Sequence, residues 1–287
     1  MKDAAEESEI VGEGRDSLPR VSIVIPACGG TQPVSRTLNR VAAHLDRVRW
    51  TSEVIVVVDG SQEDTLEMVG RWEDRFDSLV IVKHERRRGP GAAARSGLLL
   101  TKGRYVILAE AGFAARFEGV DALISSLSAG ADVAIASRGL EEPTQERPGG
   151  SGRGLAETAF CMASEFLVPT GVKDMFSGLM AFRQRAGRLI AARSKISHAA
   201  YAVEWMALAQ YLELHVIECP VELARPGGAR GLRMLVNFSK LGDLWSVRRR
   251  LAGLEYSRPQ KAADLMHQTS FVRLDREQLL GAGKAGR

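Results

Sequence analysis

The 287-residue sequence predicts an α/β fold, a mostly parallel central sheet flanked by helices. Two observations carry that expectation. Short β-branched runs alternate with helical stretches, and the connections between them are short, as in sheets covered by helices on both faces. The first strand is VSIVIPA (21–27), a buried-strand run bounded by Pro26 and Gly29-Gly30. A helix follows over about 34–44, then the strand EVIVVVDG (53–60). Asp64-Thr65 leads into a helical stretch reaching about 76, with Leu66, Val69 and Trp72 at three-residue spacing. LVIVKHE (79–85) is a third strand, GAAARSGLLL (91–100) a helix and RYVILAE (104–110) a fourth strand. A helix near 117–129 and the strand ADVAIAS (131–137) complete a fifth unit.

The polar segment GLEEPTQERPGGSGR (139–153) exceeds an ordinary connection and reads as a mobile or acceptor-gating loop. Next come a helix over about 154–168, the segment DMFSGLMAFR (174–183), a helix over about 201–213 and a strand pair in HVIECPVEL (215–223). Residues 230–254 read as a long amphipathic helix, with Trp245 and Arg248–Arg250 beside Leu244, Val247 and Leu251. That helix either packs on its own domain or lies at an anionic membrane surface. The expected organisation is an acidic disordered tail (1–19), one domain (20–255) and a polar C-terminal tail (256–287).

Composition excludes several classes. The balance of 39 Lys and Arg against 35 Asp and Glu leaves a net charge of +4, and aromatics are only 6%. With no basic stripe interleaved with stacking aromatics, nucleic acid is not an expected partner. Cys28, Cys161 and Cys219 are scattered and odd in number, against a disulfide framework or zinc site and in favour of a reducing compartment. The N-terminal segment is acidic and polar, unlike a signal peptide, and no run is apolar enough for a membrane span. A cytoplasmic protein, or one peripheral at the inner face of a membrane, is therefore expected.

Ligands on parallel sheets bind beyond the carboxyl ends of the strands. Asp59, Glu85, Glu110 and Arg138 fall at predicted strand ends and should face one crevice. Gly89-Pro90-Gly91-Ala92-Ala93-Ala94 satisfies the dinucleotide pattern G-x-G-x-x-A, with Glu110 further along where a ribose-binding acid would sit. Two features weigh against that reading. Pro90 removes a backbone N–H from the turn, and the motif follows the third strand instead of the first.

A different pattern covers more of the chain. VSIVIPA, VVVDGSQEDT, RGPGAAARSGLLLTKGRY, ASR (136–138), DMFSGLMAFR and YAVEWMALAQYLELHVIECPVEL occur in the order of matching segments in glycosyltransferase family 2. Over about 20–252 the sequence resembles that family, most of all its dolichyl- and polyprenyl-phosphate β-glucosyltransferases. The resemblance implies a GT-A type fold and transfer of a sugar, with inversion, from a nucleotide-diphospho-sugar (UDP-linked by preference) to a phosphate or small-molecule acceptor. It implies donor-site roles for Pro26, Ala27, Asp59, Arg88, Arg95 and Glu110. Arg138 is placed near the acceptor phosphate or diphosphate, and Asp174 and Glu204 on the acceptor side.

Departures from the family pattern are systematic. Gly29-Gly30 stands for Asn-Glu, Val58 for the first acid of an Asp-Asp pair, and Glu110-Ala111-Gly112 for the metal-binding Asp-x-Asp. Ala202 replaces an Asp, and Ala229 a Ser. Mg²⁺ or Mn²⁺ is therefore expected to bind weakly through Glu110 or not at all. In the second case arginines (Arg86–Arg88; Arg225, Arg230 and Arg233) would offset the diphosphate charge. A hydroxyl acceptor requires a base, for which Asp174 and Glu204 are the matched acids; a phosphate acceptor does not. The alternative is a catalytically silent homologue acting through a protein partner.

Overall fold

The computed structural model describes residues 18–60, 63–111, 117–137, 162–175, 177–198, 200–221, 239–253, 256 and 271–274. Its first half alternates strand and helix: β1 (Val21–Ala27), α1 (Thr31–Val48), β2 (Ser52–Asp59), α2 (Glu63–Gly70), β3 (Leu79–His84), α3 (Pro90–Leu100), β4 (Tyr105–Ala109), α4 (Val120–Ser128) and β5 (Val133–Ser137). A short helix α5 over 162–167 follows. After it come β6 (Leu179–Arg183), α6 (Gln184–Arg193), α7 (Tyr201–Tyr211), β7 (Val216–Pro220), α8 (Ser239–Ala252) and β8 (Phe271–Leu274).

The strands form one sheet in the order β7-β5-β6-β4-β1-β2-β3-β8. β1, β2, β3 and β4 pair in parallel, as do β5 and β7, while β6 and β8 run antiparallel to their neighbours. The parallel strands are apolar on both faces because both faces are covered. Ile23, Ile25, Val54 and Val56 pack with Val34 and Leu38 of α1, Leu66 of α2 and Leu123 of α4. Val24, Ile55, Val57 and Val106 point the other way, toward Ala94 and Leu98 of α3, Ile190 of α6, Trp205 of α7 and Leu244 of α8. This two-residue alternation sorts each strand into two cores.

Chain direction across the sheet reverses at β1, because β2 and β3 build out on one side while α3 carries the chain back to β4 on the other. Such a reversal splays the loops leaving the two central strands apart and leaves a crevice between them.

Several sequence expectations change. The helix expected to about 76 stops at Gly70, and Glu73–Arg75 forms a separate 3₁₀ turn. HVIECPVEL contributes one strand, β7, and its partner is β5. The segment taken as a C-terminal tail supplies β8, which pairs antiparallel with β3 over His84↔Phe271 to Ile81↔Leu274. Of the long amphipathic helix, α8 is the part within the described residues. Residues 1–17 and the loop 139–153 lie outside them.

One glycine fixes how closely α3 approaches the sheet. A Cβ added at Gly97 would overlap Val24 Cγ1 and sit 3.3 Å from Val57 Cγ2. Gly97→Ala gains about 1 kcal/mol of helix propensity, but overpacking a filled core costs about 1–3 kcal/mol. The variant is therefore expected to be the less stable, and Gly97→Val more so. Urea denaturation checks this: the midpoint should fall with the slope unchanged.

Candidate active site

The crevice lies where the fold reverses. A cavity of about 540 Å³ opens over the ends of β1, β2 and β3, lined by Cys28, Gly29, Gly30, Asp59, Gly60, Glu85 and Arg87. Arg87 closes one side, its Nη2 donating to the Cys28 carbonyl at 3.3 Å.

Asp59 ends β2 and is 1% exposed. Its Oδ1 accepts from the Arg88 N–H at 2.8 Å and from His84 Nδ1 at 2.9 Å, and its Oδ2 accepts from the Gly89 N–H at 2.8 Å. His84 Nε2 in turn lies 3.0 Å from Ser96 Oγ on α3. Burial acts to raise the Asp59 carboxyl, but the bonds from His84, Arg88 and Gly89 outweigh it and hold the group below its usual range. Asp59 thus fastens the 85–89 turn to the sheet while itself lining the crevice.

Glu110 follows β4, its N–H bonded to the Gly178 carbonyl at 2.9 Å. The Tyr201 hydroxyl donates to Glu110 Oε1. Burial pushes the Glu110 carboxyl above its usual range, and the Tyr201 bond pulls it only part of the way back. Cys28, between Asp59 and Glu110, has its thiol driven far up by burial and by those two carboxylates, so it stays a neutral thiol. The burial of Tyr201, and then its Glu110 partner, likewise keep the phenol protonated.

Glu204 on α7 is fully buried and shared among four donors. Its Oε2 accepts from Ser194 Oγ (2.6 Å) and the Ile196 N–H (2.9 Å), and its Oε1 from the Lys195 N–H (2.9 Å) and Tyr256 Oη (2.8 Å). Both oxygens are engaged by protein donors, and through them Glu204 holds the 194–196 segment and Tyr256 against α7. Arg95 has a related task. Its Nη1 donates to the Ser194 carbonyl at 2.8 Å, and burial lowers its pKa. It braces the segment behind the crevice and does not line it.

The G-P-G turn has a structural explanation as well. The Gly91 N–H donates to the Ser197 carbonyl at 2.9 Å, occupying the helix N-terminus where a dinucleotide's pyrophosphate would rest. A Cβ on Gly91 would lie 2.6 Å from the Ile196 carbonyl oxygen, and one on Gly89 would overlap that of Ser197. These glycines admit the 194–198 segment.

Pro26 and Ala27 end β1 opposite Val57 and Val58. Asp174 is fully buried; its N–H and that of Lys173 both donate to Glu218 Oε1 at 3.0 Å. Arg88 is partly buried, with Nη1 enclosed and unpartnered within the described structure. Arg138, Arg225, Arg230 and Arg233 lie outside the described residues. The structure therefore lines the crevice with Cys28, Asp59, Glu85 and Arg87, places Glu110 near Cys28 without lining the cavity, and leaves Arg95 and Glu204 outside its lining. Sequence reasoning missed Tyr201 and His84. Tyr201 had no signal, but His84, ending a buried strand, could have been paired with Asp59 ending the next.

A reversed parallel sheet with an acid-lined crevice at its strand ends is the architecture of a GT-A type nucleotide-diphospho-sugar transferase. Mannosyl-3-phosphoglycerate synthase from Rubrobacter xylanophilus shares this fold with a TM-score of 0.58 at 16% identity, over 85% of this chain and 77% of that one. Glucosyl-3-phosphoglycerate synthase from Mycobacterium tuberculosis, in complex with UDP, matches with a TM-score of 0.53 at 16% identity, over 82% and 80%. The family model "Glycosyl transferase family 2" matches residues 22–186, more than half of the chain, and the chain belongs to that family. It is 25% identical over 219 residues to a dolichyl-phosphate beta-glucosyltransferase of Trichomonas vaginalis (73% of this chain, 65% of that one). It is also 23% identical over 240 residues to the Homo sapiens enzyme of the same name (79% and 71%). The matches thus span roughly two thirds of those relatives' length.

Asp59→Asn tests the hub. One neutral acceptor replaces two charged oxygens, so stability should fall by about 1.5–3 kcal/mol near neutral pH. Because folding depresses the Asp59 pKa, its contribution is present above the unfolded value and is lost as pH falls through the folded one. The gap between wild type and variant in denaturant midpoint should therefore narrow on acidification to about pH 3.

Proposed function

We propose that this chain transfers a sugar from a UDP-linked donor to a phosphate-bearing acceptor by direct, inverting displacement. The observation that carries the reading is the crevice at the reversal point of a family 2 chain. The names of the similar proteins narrow it. UDP is bound in one structural neighbour, and the acceptors named are dolichyl phosphate in the relatives and phosphoglycerate in the neighbours, each carrying a phosphate.

Two of the carboxylates support direct displacement. Asp59 and Glu204 have both oxygens engaged by protein donors and are poorly placed as covalent nucleophiles, in keeping with attack by the acceptor itself. An acceptor phosphate is largely ionised near neutral pH, its second pKa being about 6, and attacks without a base. Orientation and charge screening then remain for the protein; we assign the screening to Arg138 on the acceptor side and to Arg88, with its enclosed Nη1, on the donor side, and to buried Asp174 only the positioning of the acceptor side.

Glu110 fits a weak, single-carboxylate cation site. It is a hard ligand, it has no ion-pair partner among the described residues, and the sequence after it, Ala-Gly-Phe-Ala-Ala, supplies no second acid. Mn²⁺ accompanies UDP-glucose in a structural neighbour, and Mg²⁺ or Mn²⁺ can take one carboxylate with the remaining ligands from diphosphate and water. Such a cation would offset the charge developing on the leaving diphosphate.

Calorimetric titration with UDP and UDP-glucose, in Mn²⁺ and again in EDTA, tests the proposal. Binding of both nucleotides is expected, tighter with Mn²⁺, and Glu110→Gln should remove on the order of tenfold or more of that enhancement. Because the Glu110 pKa is raised, the enhancement should be small in acid and grow as pH rises through that pKa. Tyr201→Phe, which deletes the bond stabilising the carboxylate, should move the rise to higher pH. No binding of either nucleotide under either condition would overturn the donor assignment.

A further inference from the structure

The large apolar side chains exposed on this molecule are not scattered. Among the described residues, Phe166 (82% exposed), Met162 (69%) and Trp245 (61%) are three of the five that stand out, and they belong to two touching helices. Met162 and Phe166 are four residues apart on α5 and share one face. Trp245 lies on α8, whose Leu244 and Val247 are fully buried in the domain core. Arg248 Nη1 donates to the Leu167 carbonyl at 3.1 Å and joins α8 to the end of α5.

Charge adjoins the apolar surface. Arg248 and Arg249 follow Trp245 by three and four residues, on the same side of the helix, and both are exposed. Tryptophan and phenylalanine next to arginine suit an anionic bilayer surface, where rings enter the headgroup boundary and guanidinium groups meet lipid phosphates. Core packing does not explain Trp245, because α8 already buries its other face. On the same helix, Asp243 interacts with His198, whose ring sits beside Gly89 at the start of α3.

We infer that the α5–α8 face, with Phe166 and Trp245 as its anchors and Arg248 and Arg249 as its charges, docks this chain on an anionic membrane surface. The inference rests on surface chemistry alone and stands whether or not the acceptor is lipid-linked. It adds a binding role to a face that no step of sugar transfer requires.

Co-sedimentation of the full chain with phosphatidylcholine vesicles, with and without phosphatidylglycerol, is the test. Binding is expected to the anionic vesicles and to fall steeply with added salt. Phe166→Ser with Trp245→Ser should weaken it about tenfold or more, and Arg249→Gln about fivefold. UDP titration of each variant serves as the folding control, since none of these residues lines the crevice. Absence of vesicle binding, or equal binding by wild type and the double variant, overturns the inference. So does concentration-dependent self-association of wild type that the double variant abolishes, which would assign the face to a second copy of the chain.

Discussion

A single buried carboxylate organises the half of the molecule that faces the site. A buried glutamate side chain is costly unless its polar atoms find hydrogen-bond partners. Glu204 meets that condition through four donors drawn from the 194–196 segment and Tyr256. Satisfying it gathers a stretch with no regular secondary structure of its own into one conformation. The Ser197 carbonyl is thereby set on the N-terminus of α3, and α7 is set so that Tyr201, one turn before Glu204, meets Glu110. Helix start, strand end and loop are positioned together, and Arg95 braces the arrangement from the α3 side.

The two acids that act on Cys28, Asp59 in the crevice and Glu110 after β4, are shifted in opposite directions. Asp59 receives enough hydrogen bonds to stay ionised despite burial. Glu110 has one, and burial prevails. Asp59 is held ionised and fastens a turn, whereas burial holds Glu110 toward its neutral form, and the cation role proposed for it would draw the carboxylate out of that state. Cys28, wedged between them, gains no reactivity from the position, because both neighbours stabilise its neutral form.

Sequence patterns made the parallel sheet legible, since each strand covered on both faces must be apolar along its length. β1 and β2 show this, being buried at every position. The antiparallel insertion of β6 between β4 and β5 was not legible, because LMAFR is as apolar as its parallel neighbours and carries no mark of direction. β8 escaped notice for a related reason: four edge residues in a polar segment give no period to count. Within the site, family likeness placed Asp59, Glu110 and Glu204 at their elements, but not what each touches. Hydrogen-bond partners such as Tyr201 lie far away in sequence and meet Glu110 only through the fold.

The positions where this sequence differs from the pattern it resembles are ones the fold tolerates. Val58 lies fully buried in β2 among the apolar residues of the α1 face, where it packs like its neighbours. A Cβ on Gly29 would meet nothing within 4 Å, so packing does not dictate glycine there; Gly30, at φ +90°, does favour it. Of these positions, Gly29 and Gly30 line the crevice, beside Arg87, and offer it backbone without side chains. Packing and site chemistry reside in different residues. A sheet intact to this degree is therefore compatible with either recognition chemistry at the crevice, cation or arginine, and the proposed single-carboxylate cation site at Glu110 asks nothing of the fold beyond the Gly178 and Tyr201 contacts that hold it.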